Sequence, residues 1–257
     1  MNYSLPDMPE RTVKPRMSGI TMVMDKGLSI REAEDLVSVS GDYADYVKLG
    51  FGTSLLTPGV EEKIGVYRNA GIDVYLGGTL FEACIIRNAF DDYLRILEKF
   101  GVAMVEISDG SYEFDHDLKL DYIRRLSVSY KVLSEVGSKK KDVIYRPEEW
   151  VRMMESELQA GSVKVIAEAR ESGTTGIYND DGSANYELIG MIAGNIGLDS
   201  VIWEAPLKSQ QVWFIREFGA NVNLGNIAPS EVIALEALRN GLRGDTFFQF
   251  LPENIGK

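Results

Sequence analysis

Four glutamates stand at the ends of apolar runs: Glu106 in VAMVEISDG, Glu135 in YKVLSEVGSKK, Glu168 in VKVIAEARESG and Glu204 in SVIWEAP. Each run reads as a strand followed by a turn. Charges placed directly after an apolar strand are costly to bury unless they pair or bind something. Carboxylates gathered on one rim raise one another's pKa unless a cation lies between them. Oxygen ligands with coordination positions to spare suit Mg²⁺, which keeps waters and a substrate oxygen. The set is therefore expected to bind a metal or act in catalysis. The plainer alternative is that each acid pairs with a neighbouring Lys or Arg as scaffolding.

Cations occupy equivalent places. Lys26, Lys48, Lys139 and Arg170 all follow or end strands. A lysine among such groups can act as a general acid or neutralise a developing enolate. Arg170 offers a planar fork to a phosphate or carboxylate, unless it serves only to pair with Glu168 or Glu204. Ser172 lies in the same charged run. Gly77-Gly78-Thr79 and Asn223-Leu224-Gly225-Asn226 are expected to leave backbone amides facing an oxyanion. With one histidine, His116, and one cysteine, Cys84, the usual zinc sites and Ser-His-Asp or Cys-His catalysis are excluded. His116 is expected at the surface of a helix start, and Cys84 as a small buried apolar group.

These residues need a frame that brings strand ends together. Strands are expected over Ile20–Met24, Tyr43–Leu49, Ile72–Leu76, Val102–Ile107, Tyr130–Val136, a sixth from Val163, Ser200–Trp203 and Asn221–Leu224. A helical pattern follows each, the first opened by a capping box of Ser29 with Glu32 and the fifth followed by a helix starting at Pro147. Eight strand-then-helix units, roughly 20–36 residues apart, predict a (β/α)₈ TIM barrel. The barrel is expected over residues 20–250, between an arm at 1–19 and a tail at 251–257. No GxGxxG follows the first strand, so the dinucleotide fingerprint is missing. In such a barrel catalytic groups lie at the C-terminal ends of the strands, and the loop after strand eight often takes phosphate.

At 257 residues the chain can bury one full core. No apolar run approaches the ~20 residues that span a bilayer, and MNYSLPDMPERTVKP has no signal-peptide core and reads as a loose arm. A single cysteine fits a reducing cytoplasm. The net charge of −12 argues against nucleic acid or an anionic membrane as partner. A few cations focused in a cleft still admit an anionic small substrate.

The blocks TMVMDKG, GDYADYVKLGFGTS, GGTLFE, VEISDG, SEVG, EARESG, EAPLKSQQVWFI, NVNLGNI and LRNGLRGDTF, in that order from Thr21 to Phe247, resemble the phosphosulfolactate synthases. That family opens a coenzyme M route. The resemblance implies a barrel that adds sulfite to phosphoenolpyruvate in the presence of Mg²⁺, giving (2R)-2-phospho-3-sulfolactate. Sulfite would attack the methylene carbon, and charge would move onto the carboxylate. The family's proposed acid is the second lysine of EVGKK; here Ser138 replaces the first lysine and Lys139 falls on the second. Mg²⁺ is expected on some of the four glutamates, with Glu106, Glu168 and Glu204 taken as ligands. Lys139, Lys26 and Glu135 are taken as catalytic. Lys48, Arg170, Ser172, Asn223, Gly225 and Asn226 are taken to bind substrate.

A small homo-oligomer, a trimer, is also implied. Two alternatives are a non-catalytic barrel like the family's heat-stress-associated plant relative and an enzyme using another nucleophile. Retention of DKG, EISDG, EARESG and Lys139 speaks against the first, and only the resemblance identifies sulfite. Lys139→Ala is expected to abolish turnover and leave folding intact, as read by assay beside circular dichroism. Near-normal activity would remove the acid role.

Overall fold

The strands alternate between two apolar environments, as period 2 requires of a closed sheet. The computed structural model describes residues 4–137, 145–170 and 172–253. Eight parallel strands pair in chain order, and the last closes on the first. They are β1 (Thr21–Asp25), β2 (Tyr46–Leu49), β3 (Asp73–Leu76), β4 (Met104–Ile107), β5 (Lys131–Val136), β6 (Ser162–Ala167), β7 (Val201–Glu204) and β8 (Leu224–Ile227). Met22, Tyr75, Met104, Leu133, Ile166 and Ile202 fill the inside of the barrel. A larger cluster, including Val23, Val47, Val105 and Trp203, lies between the barrel and its helices. The expected TIM barrel is the fold of this chain.

Helices α1 (Ile30–Ser40), α2 (Val60–Asn69), α3 (Gly78–Ile85), α4 (Phe90–Phe100) and α5 (His116–Ser127) surround the first half. Around the second half run α6 (Pro147–Ala160), α7 (Tyr186–Ile196), α8 (Lys208–Phe218) and α9 (Val232–Arg239). The Ser29–Glu32 capping box opens α1, and Pro147 stands in the first turn of α6. Trp203 packs outward against Phe214 and Phe218 of α8. His116 is not the plain surface residue expected, because its Nε2 lies 2.9 Å from Ser156 Oγ on α6. No described helix is long and apolar enough to cross a membrane.

Strand eight lies further along the chain than expected. NVNL alternates polar and apolar and so reads as a half-buried strand, yet the ladder begins only at Leu224. Asn223 sits below it, donating to the carbonyls of Leu198, Asp199 and Val201 and accepting from Ile20 N–H. The N-terminal arm is also better tied than expected. Arg11 pairs with Glu236 at 2.9 Å, Arg16 with Asp45 at 2.9 Å, and Lys14 donates to the Gly41 carbonyl. Lys164, near the start of β6, points into the bottom of the barrel and donates to the carbonyls of Met17 and Asp199. The arm therefore closes the N-terminal end, leaving chemistry to the other.

Gly137, where the chain leaves β5, has φ +135°. A Cβ there would stand 2.6 Å from Glu168 Cβ and 2.7 Å from Trp150 Cη2. Backbone and space both demand glycine. Gly137→Ala is expected to cost about 2 kcal/mol or more, seen as a fall of several degrees in melting temperature. An unchanged melting temperature would contradict this.

Candidate active site

Each of the four strand-end acids lies two residues beyond a member of the inner apolar layer. Met104 precedes Glu106, Leu133 precedes Glu135, Ile166 precedes Glu168 and Ile202 precedes Glu204. Alternation therefore points all four acids inward, one layer nearer the C-terminal mouth. Lys48, two residues beyond Tyr46, enters the same layer from β2. Its Nζ lies 2.9 Å from Glu106 Oε1, 3.2 Å from Glu135 Oε2 and 3.7 Å from Glu204 Oε1. Burial opposes the ammonium, but the three carboxylates outweigh it and hold the Lys48 pKa well above its ordinary value.

The acids divide into two kinds. Glu106 Oε1 accepts the Gly78 N–H at 2.6 Å as well as facing Lys48. Oxygens of Glu135, Glu168 and Glu204 all lie within 4.8 Å of one another, and the three residues are buried. Of the acids expected to hold a metal, Glu168 and Glu204 stand together with Glu135, assigned to catalysis on sequence, whereas Glu106 faces Lys48 and Gly78. Glu168 Oε1 accepts the Arg170 N–H at 2.7 Å, and Glu204 Oε2 accepts the Ala169 N–H at 3.0 Å. Burial, then repulsion from Glu135 and Glu106, pushes the Glu204 carboxyl up to about 7 against the pull of Lys48. Three buried carboxylates so close, one already driven towards its neutral form, fit a hard divalent cation with oxygen ligands.

Above them opens a cavity of about 390 Å³. Lys48, Glu135, Glu168 and Glu204 form its floor, and Arg170, Ser172, Asn226 and Thr79 stand around it. Arg170 and Asn226 take positive φ values of 43° and 56°, unusual for side-chain-bearing residues and found where sites store strain. Among the described residues the Arg170 guanidinium makes no ion pair, so it is not spent on Glu168 or Glu204. Asn226 is buried and its Oδ1 has no partner among the described residues. Ser172 Oγ lies 3.0 Å from Thr174 Oγ1. The cavity thus has an acidic floor and a wall able to take an anion.

Other expected site residues fall elsewhere. Asn223 is at the opposite end of the barrel, its amide saturated by backbone groups. Gly225 lies within β8, where a Cβ would stand 2.7 Å from Met22 Cε and 3.0 Å from Ile202 Cγ2; it makes room in the inner layer. The Gly77 and Gly78 amides are not available to an oxyanion, since they donate to the Leu49 carbonyl and to Glu106. Lys26 is exposed on the rim and does not line the cavity. Its neighbour Asp25 faces outward to Lys63 at 2.8 Å. Lys139 lies outside the described residues. Sequence reasoning missed Phe51 and Ser111, which also line the cavity; the one signal for Ser111 is its place directly after EISDG.

A carboxyl whose folded-state pKa is raised contributes stability that is complete below its unfolded value and lost as pH climbs through the folded one. In metal-free protein, wild type is expected to lose up to about 3 kcal/mol relative to Glu204→Gln between about pH 5 and 8. Added Mg²⁺ is expected to raise the wild-type melting temperature more at pH 8 than at pH 5. Parallel pH dependence of the two proteins in chelator would contradict the assignment.

The family described as (2R)-phospho-3-sulfolactate synthase (ComA) matches residues 9–245. The phosphosulfolactate synthase of Methanocaldococcus jannaschii is 45% identical over 235 residues, 89% of this chain and 94% of the relative. That of Bacillus subtilis is 41% identical over 250 residues, 96% of this chain and 99% of the relative. N-acetylneuraminate lyase from Fusobacterium nucleatum superposes with a TM-score of 0.56 at 9% identity, over 88% of this chain and 75% of that one. That likeness is one of fold alone. Identities of this size over nearly the whole length make the protein an enzyme of the phosphosulfolactate synthase family.

Proposed function

We propose that the enzyme adds sulfite to phosphoenolpyruvate, giving (2R)-2-phospho-3-sulfolactate, with Mg²⁺ on Glu135, Glu168 and Glu204. The observation that carries this reading is one cavity with a three-carboxylate floor and a wall holding Arg170, Ser172 and Asn226. Two anions must meet for this reaction, and cations focused in a narrow cleft offset their repulsion even on an acidic protein. Bound Mg²⁺ would supply Lewis-acid stabilisation of the charge that develops on the substrate carboxylate.

The protein's own groups do the rest. Arg170 offers two parallel donors to a phosphate or carboxylate, and Ser172 and Asn226 offer further polar contacts. Together they hold the methylene carbon where the sulfur lone pair can reach it. As the carbon–sulfur bond forms, the alkene electrons move onto the carboxylate. Lys48 keeps Glu106 in place and adds a fixed positive charge beneath the site. Lys139 then delivers a proton to the carbon that bears phosphate, an assignment that rests on its place in the EVGSK motif. A cytoplasmic location and a homo-oligomeric, trimeric state belong to the same reading, supported by the lone cysteine and the family resemblance.

Purified protein with phosphoenolpyruvate, sulfite and Mg²⁺ is expected to convert the phosphoenolpyruvate phosphorus signal into that of a new saturated phosphate ester. Persistence of the starting signal across conditions would sink the proposal. Turnover with another nucleophile in preference to sulfite would replace it.

A further inference from the structure

Glu82, on α3, is a buried carboxylate that the mechanism above does not use. One of its oxygens accepts the Ser108 hydroxyl. The other accepts the backbone N–H of Ser111 at 2.7 Å and that of Tyr112. A carboxylate so far from water needs such donors, and here all three come from the segment after β4. From the other side Lys119 on α5 reaches Asp109 of that segment at 2.9 Å. The same ammonium meets Glu157 at 2.8 Å and the Glu135 carbonyl at 2.7 Å. Two buried charges thus grip the four residues from Ser108 to Ser111 and tie them to β5 at its metal-side glutamate.

Ser111 is the member of this segment that lines the cavity. Its amide is committed to Glu82, so what it presents is a hydroxyl, which makes no hydrogen bond to another described residue. Holding the amide fixes the backbone, and a fixed backbone leaves the hydroxyl one torsion to search. That is the arrangement expected of a pre-organised donor to an oxyanion. We propose that Ser111 is a substrate-contacting residue that donates to a phosphate, carboxylate or sulfite oxygen in the cavity, and that Glu82 is the positioning residue that presents it. The inference rests on the reading of the cavity as the place where phosphoenolpyruvate and sulfite bind.

The test uses the full chain with Mg²⁺. KM for each substrate and kcat are measured by phosphorus NMR, and the Kd of each by titration calorimetry. A hydrogen bond to a charged group is worth roughly tenfold or more in affinity. Ser111→Ala is expected to raise KM and Kd about tenfold for the substrate it contacts, leaving kcat within about threefold and the melting temperature unchanged. Whether phosphoenolpyruvate or sulfite shows the rise identifies the oxyanion. Glu82→Gln keeps the size but removes the charge that strengthens the hold on the two N–H donors, and is expected to raise the same KM.

Because Glu82 acts through Ser111, the double variant is expected to be no worse in KM than the larger single one. Normal KM and Kd for both substrates in Ser111→Ala would overturn the proposal, as would single effects that multiply in the double variant. Should Glu82→Gln fail to fold, Ser111→Ala alone decides. A wild type that binds neither substrate would bring down the functional reading itself, an outcome distinct from a normal Ser111→Ala.

Discussion

Lys48 sets one buried ammonium among three carboxylates contributed by β4, β5 and β7. Without it Glu106 and Glu204 would lose the ammonium they face in the upper layer of the barrel, and burying such charges unpaired is costly. With it, the layer divides. Glu106 is held between Lys48 and the Gly78 amide, and Glu135, Glu168 and Glu204 remain close enough to share a cation. Burial and the nearby Glu135 and Glu106 still raise the Glu204 carboxyl against the pull of Lys48.

Buried lysines recur as ties between strand ends and the helical shell. Lys63 on α2 meets Asp25 at the end of β1, while Asp25 accepts the Gly27 and Leu28 amides that turn the chain. Lys119 on α5 joins Asp109 after β4, the Glu135 carbonyl of β5 and Glu157 of α6. Burial raises the Glu157 carboxyl, and Lys119 pulls against it. Breaking either pair would strand a charge in the core, so these ties hold the mouth in one arrangement. At the opposite end Lys164, Asn223 and the N-terminal arm meet backbone carbonyls, and their polar groups close the floor.

The acidity of the chain does not exclude an anionic substrate on this geometry. The charge of −12 belongs to the whole molecule, whereas at the cavity Lys48 and Arg170 stand beside Glu135, Glu168 and Glu204, between walls of low dielectric that concentrate their fields. The left-handed conformations of Arg170 and Asn226 carry strain at the ends of β6 and β8. Both residues line the cavity, which ties that strain to the site.

Much was legible in the order of residues alone. Eight apolar runs with turns and helical patterns between them determine the barrel, because strand length, alternation and capping are properties of neighbours in the chain. The inward aim of Glu106, Glu135, Glu168 and Glu204 follows from the same alternation, each two places beyond an inner apolar residue. The chain order could not say which acids face Lys48, since those distances cross from β2 to β4, β5 and β7, strands that do not pair with it, nor which three of four consecutive strand ends stand together. Nor could it place Asn223 and Gly225, where a shift in the start of β8 moves one to the barrel floor and the other into its core. Glu82 and Ser111 met only through packing of α3 against the segment after β4. Period along the chain decides which way a side chain points; closure of the barrel decides what it meets there.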